Sequence, residues 1–137
     1  MITLTKEQVL LLHKSIYERY GGSYGVRDEG LLDSALEAPF QTFAGQDLYP
    51  TDIDKIVRFG YGLIGNHPFH DGNKRIGALA LLTLLDLNGF LINATDKEFA
   101  DVIYGVASGS GGKSYEDFLA WVNAKLVQHS RKMMGQI

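Results

Sequence analysis

The chain predicts an all-α domain of about six helices with one short extended flap. Three observations lead there. Four times, Thr or Ser is followed three residues on by Gln, Asp or Glu, ahead of an apolar run of helical period. Residues 76–87 are apolar nearly all round, as a central buried helix is. Strand-like alternation of bulky side chains is confined to residues 39–50.

The first helix is capped by Thr5, with Gln8 completing the box, and runs through Val9, Leu12, His13, Ile16, Tyr17 and Tyr20. Gly21-Gly22-Ser23-Tyr24-Gly25 ends it. Asp28 caps a short second helix through Leu31, Leu32, Ala35 and Leu36, which Pro39 stops. Residues 39–50 then predict a small β-hairpin or extended flap around Ala44-Gly45. Thr51 with Asp54 opens a third helix on the stripe Ile53, Ile56, Val57, Gly60, Tyr61, Ile64. Gly60 weakens that helix by roughly 1 kcal/mol relative to alanine, so its place on the buried stripe points to a neighbouring backbone close by. The central apolar helix ends at Asn88-Gly89. Thr95 with Glu98 begins a helix through Phe99, Val102, Ile103 and Val106. Ser114 with Asp117 begins the last, through Phe118, Leu119, Trp121, Val122 and Leu126. The polar stretch 128–137 is expected to fray.

At 137 residues the chain can bury one core unaided. It has no cysteine, which removes disulfides, thiolate zinc sites and cysteine nucleophiles from consideration. Net charge is −3 and the basic residues are scattered, which argues against a general nucleic-acid binder. The first residues lack the apolar run of a signal peptide, and the longest apolar stretch is too short to span a bilayer. A cytoplasmic protein is the expectation, with no membrane partner.

Chemistry is concentrated in His67-Pro68-Phe69-His70-Asp71-Gly72-Asn73-Lys74-Arg75, immediately before the apolar helix. The unpaired N–H groups and positive dipole end of a helix N-terminus favour an anion. A lone histidine is usually structural, and His13 and His129 are read so. His67 differs because Asp71, Asn73, Lys74 and Arg75 accompany it. His67, His70 and Asp71 also suggest metal ligands, but they lack the further ligand cluster of a zinc site. Gly112-Lys113-Ser114 ends like a phosphate-binding P-loop, but Ala107 stands where its first glycine belongs and no strand precedes it.

Residues 67–75 match, without a gap, the pattern H-x-F-x-[D/E]-[G/A]-N-[G or K]-R, and thereby resemble the Fic superfamily and its death-on-curing (Doc) toxin branch. Arg27-Asp28-Glu29-Gly30-Leu31-Leu32 and residues 42–50 extend the resemblance, which covers about residues 1–126. It implies a Fic/Doc domain over 1–127 followed by the polar tail 128–137. Lys74 stands where adenylylating members have glycine, and Ala78 where they have a second arginine. Both substitutions resemble the Doc pattern. That resemblance implies ATP bound so that its γ-phosphate, not its α-phosphate, meets an acceptor hydroxyl.

The roles that the resemblance implies follow residue by residue. His67 is the general base, Asp71 holds Mg²⁺ against the phosphates, and Gly72 and Asn73 offer backbone and amide donors. Lys74 and Arg75 neutralise phosphate charge. Thr42, Phe43 and Ala44 of the flap bind the target as an added strand. The implied activity is that of a toxin: a protein kinase acting on translation elongation factor Tu and held in check by a small separate antitoxin. An [S/T]-x-x-x-E-[G/N] inhibitory pattern is absent from the chain, which suits a separate inhibitor. The alternatives are a Fic-type adenylyltransferase and a non-catalytic protein-binding module of the same fold.

Overall fold

A computed structural model describes residues 1–109 and 112–129. Its elements are α1 (Lys6–Tyr20), α2 (Glu29–Glu37), β1 (Thr42–Phe43), β2 (Gln46–Asp47), α3 (Asp52–Asn66), α4 (Asn73–Leu87), β3 (Phe90–Ile92), α5 (Asp96–Ala107), α6 (Tyr115–Lys125) and β4 (Leu126–Gln128). This is the expected all-α bundle of six helices with a short hairpin ahead of the motif. All four capping boxes form, at Thr5, Thr51, Thr95 and Ser114. Asp28 caps α2 by accepting from the Leu31 N–H, and a 3₁₀ turn over Ala38–Phe40 carries Pro39 at its start.

Helix α4 is the central element and packs chiefly on α3, with α1, α5 and β3 around it. The core that results joins Ile56, Leu63, Ile64, Ile76, Leu81, Leu84 and Phe118, all fully buried. The α3–α4 crossing is made close by two glycines. A Cβ added at Gly60 would stand 3.2 Å from the Gly77 carbonyl, and one at Gly77 would stand 3.1 Å from the Gly60 carbonyl. The backbone approach expected from Gly60 is thus present, with Gly77 as its counterpart.

Two helix boundaries differ from expectation. Helix α4 begins at Asn73 rather than Ile76, because left-handed Gly72 (φ 79°) caps it and its carbonyl accepts the Ile76 N–H at 2.8 Å. Asn73, Lys74 and Arg75 therefore form the first turn of the helix. Leu126 leaves the last helix for β4, which pairs antiparallel with β3 in the register Phe90 with Gln128 and Ile92 with Leu126. Two three-residue strands far apart in sequence leave no periodic signal. Pairing continues at His129, whose N–H donates to the Gly89 carbonyl at 2.7 Å. Residues 130–137 of the polar tail, and Ser110 and Gly111 of the P-loop-like segment, lie outside the described residues. Among the described residues no helix is long and apolar enough to cross a membrane.

Candidate active site

The motif is a loop closed on itself. Helix α3 ends at Asn66, and His67 turns the chain in the left-handed conformation (φ 49°, ψ 54°). Phe69 is driven inward, 1% exposed, and its ring stacks on His13 with centroids 3.7 Å apart. The Asn73 side chain bonds both sides of Phe69. Its Oδ1 accepts the Phe69 N–H and its Nδ2 donates to the Phe69 carbonyl, each at 3.0 Å. His13, 3% exposed, places Nε2 at 2.8 Å from the Asp71 carbonyl. A carbonyl only accepts, so the Nε2–H tautomer is the one that fits.

The connection between α1 and α2 clamps this loop from outside. The Ser23 N–H donates to Asp71 Oδ2 at 2.7 Å. A Cβ at Gly22 would stand 3.0 Å from that same oxygen, so glycine lets the two loops approach. The His70 N–H donates to the Gly25 carbonyl at 3.1 Å, and Val26 and Phe69 form an antiparallel bridge. The Arg27 and Asp28 N–H groups both donate to the Pro68 carbonyl, at 2.7 and 3.1 Å.

The first turn of α4 then offers the N–H groups that no helix satisfies internally. Its two cations rest on aromatic rings of neighbouring helices. The Arg75 guanidinium lies 4.1 Å from the Tyr20 ring centroid, and Lys74 Nζ lies 5.3 Å from that of Tyr104. Two cavities meet at Asp71, Gly72 and Arg75. The smaller, about 170 Å³, runs towards Tyr17, Tyr20 and Ser23. The larger, about 560 Å³, also takes in Asn73, Lys74 and Ala78 and is walled by Phe99, Ile103 and Tyr104.

The fold thus brings Asp71, Gly72, Asn73, Lys74 and Arg75 together around one cleft. The Asn73 side-chain amide bonds the Phe69 backbone through Oδ1 and one of its two Nδ2 hydrogens, so the amide also fixes the loop. His67 is exposed at the head of the loop and is not among the residues lining either cavity. His70 contributes through its backbone N–H. His67, His70 and Asp71 do not form a metal cluster; among the described residues no group of three or more His, Asp or Glu could hold one.

The flap is a two-stranded hairpin, Thr42 opposite Asp47 and Phe43 opposite Gln46. Ala44 (φ 52°) and Gly45 (φ 78°) make its turn, both left-handed as a type I′ turn requires. Both strands are exposed, Phe43 to 76%. Its base is fastened to α3: Lys55 Nζ bonds Asp47 at 3.1 Å and also the Tyr49 carbonyl, while Arg58 Nε donates to the Tyr49 hydroxyl at 3.0 Å. Tyr115 of α6 packs edge-on against Tyr49 and donates its O–H to the Asp54 carbonyl, and burial pushes that phenol above its ordinary value.

Sequence reasoning missed the support beneath the motif. His13 was read as structural, but its contact with Asp71 and Phe69 was not foreseen. Its place on the buried stripe of α1 was the available signal. Ser23 and Arg27 act through contacts with residues 40 or more positions away, which no local pattern encodes.

Residues 3–85 match the model of the Fic/DOC family. The chain is 43% identical over 75 residues to the protein named Toxin Doc of Mycolicibacterium smegmatis, an alignment covering 55% of this chain and 58% of that relative. It is 28% identical over 109 residues to the protein named Protein kinase doc of Escherichia phage P1, covering 77% of this chain and 82% of the other. The family match takes in α1, the clamping connection, the flap, α3 and the motif at the head of α4. With more than half of its residues matched, the chain belongs to the Fic/DOC family.

Proposed function

We propose that this chain is a Doc-like toxin, a cytoplasmic protein kinase that transfers the γ-phosphate of ATP to a hydroxyl of a cellular protein and so arrests translation and growth. The resemblance drawn from the sequence names elongation factor Tu as that protein and a small separate antitoxin as the inhibitor. The names of the two relatives support the toxin and the kinase reading. The observation that carries the choice of chemistry is Lys74 beside Arg75 on the first turn of α4, with Ala78 in the wall of the larger cavity.

In this reading His67 takes the proton of the acceptor hydroxyl, whose oxygen attacks the γ-phosphorus as ADP leaves. Exposure of His67 suits a base that must meet a macromolecular substrate. The N–H groups of the first α4 turn, with Lys74 and Arg75, receive the phosphate oxygens. Tyr20 holds the Arg75 guanidinium at the junction of the two cavities, where its planar fork can take two oxygens. Asp71, oriented by the Ser23 N–H, would hold Mg²⁺, which neutralises charge on the phosphates when bound. The exposed edge of the flap is suited to adding an extended target segment at Thr42, Phe43 and Ala44.

Incubation of a cell lysate with the protein and ATP, followed by mass spectrometry, tests the reading. A phosphate gained on a hydroxyl residue supports it, and a gain of AMP replaces it with the adenylyltransferase alternative. Modification of no protein favours the non-catalytic module.

Two variants probe the same site. Arg75→Ala is expected to weaken ATP binding roughly 10- to 100-fold, the value of a charge-assisted contact. Calorimetric titration measures it, and parental affinity with parental turnover removes Arg75 from the phosphate site. Lys74→Gly is expected to reduce γ-transfer and admit weak adenylyl transfer. Lys74 lines the larger cavity with its Nζ over the Tyr104 ring, and glycine would free that space. Ala78 still supplies no second cation, so adenylylation should stay weak. ATP labelled at the α- or γ-phosphate separates the outcomes. Undiminished transfer of the γ-label alone would show that Lys74 does not set nucleotide direction.

A further inference from the structure

Arg27 lies 40 residues before the motif histidine, yet its side chain ends on it. Its Nε–H donates to the His67 carbonyl at 2.8 Å and its Nη2–H to the Asn66 carbonyl at 3.3 Å. These carbonyls close α3, where helix geometry leaves C=O groups without donors and the dipole end is negative. A guanidinium is the side chain that spans two adjacent carbonyls with a rigid fork. The backbone of the same segment holds the next carbonyl, Pro68, through the Arg27 and Asp28 N–H groups. Three consecutive carbonyls around His67 are therefore gripped by one short piece of chain.

His67 needs such a grip. Its left-handed conformation is uncommon outside glycine, and a modest backbone rotation would re-aim the imidazole. Arg27 is exposed and belongs to no core cluster, so its bonds do not serve to bury a charge. We propose that Arg27 is a positioning residue that fixes the backbone of His67, and hence the direction of its imidazole, relative to the head of α4. The proposal deepens the reading of His67 as general base and rests on it for its catalytic consequence.

The test compares parent, Arg27→Ala and Arg27→Lys. Transfer from γ-labelled ATP to lysate protein is followed across ATP concentrations, and the His67 imidazole resonances are followed by NMR. Arg27→Ala is expected to lower the rate at saturating ATP roughly 10- to 100-fold, as misplacement of a catalytic group does, with the half-saturating ATP concentration unchanged. Its His67 resonances should move while those of buried His13 stay. Arg27→Lys should recover part of the rate, because an ammonium reaches one carbonyl and not both. Should the alanine variant fail to fold, the lysine variant carries the same comparison with a smaller expected change. Parental rate, or unmoved His67 resonances, in the folded variant overturns the proposal. A parent that transfers no γ-label refutes the phosphoryl-transfer reading, and the His67 resonances then decide the positioning role by themselves.

Discussion

Replacing His67 by alanine is expected to lower phosphoryl transfer roughly 10²- to 10⁴-fold, the usual contribution of a general base. Nucleotide binding should survive, because His67 lines neither cavity and the phosphate donors lie on the first turn of α4. Stability should change little, since the side chain is exposed. Position 67 is left-handed, a conformation that histidine and asparagine adopt more readily than alanine does. His67→Asn is the cleaner variant, because asparagine tolerates that region and carries no base at neutral pH. Label transfer from γ-labelled ATP, growth arrest on expression and calorimetric ATP titration together measure the effect. Parental transfer by the asparagine variant would remove His67 from the chemistry.

The second large effect concerns stability. Gly77→Val is expected to destabilise the fold by about 2–3 kcal/mol, the upper part of the usual range for overpacking. A Cβ at Gly77 would overlap Ile64 Cγ1, lie 3.0 Å from its Cδ1 and 3.1 Å from the Gly60 carbonyl. Ile64 is fully buried and has nowhere to turn, so α3 and α4 must move apart. That is a large share of a typical 5–15 kcal/mol, and it also shifts the head of α4 relative to His67. Gly65→Ala is the matched control, because nothing lies within 4 Å of a Cβ there. It should gain roughly 0.4–1 kcal/mol from reduced unfolded-state freedom and better helix propensity. Urea unfolding of both variants checks the pair. A Gly77→Val protein as stable as its parent would show that the helices do not depend on this approach.

Much of the fold was legible because it is locally encoded. Thr5, Thr51, Thr95 and Ser114 each stand beside the residue that completes their box, and the apolar stripes need only a period of 3.6. The start of α4 was misplaced by three residues for a local reason too. Asn73, Lys74 and Arg75 break the apolar pattern that marked the helix, while Gly72 caps it through a positive φ that its neighbours do not announce. The β3–β4 pair was invisible because its two strands meet only through the folded chain.

The site divides in the same way. Which side chains could handle an anion was set within nine consecutive residues, since type and spacing from His67 to Arg75 suffice to place donors at a helix head. How those side chains are held was decided by tertiary structure. Asn73 turned inward because Phe69 presents a free N–H and carbonyl beside it, a choice its residue type leaves open. Asp71 is oriented by Ser23, and His67 by Arg27, across 48 and 40 residues of sequence. A hydrogen bond depends on where two groups stand in space, so partners that distant are brought within reach only by the packing of α1, α3 and α4.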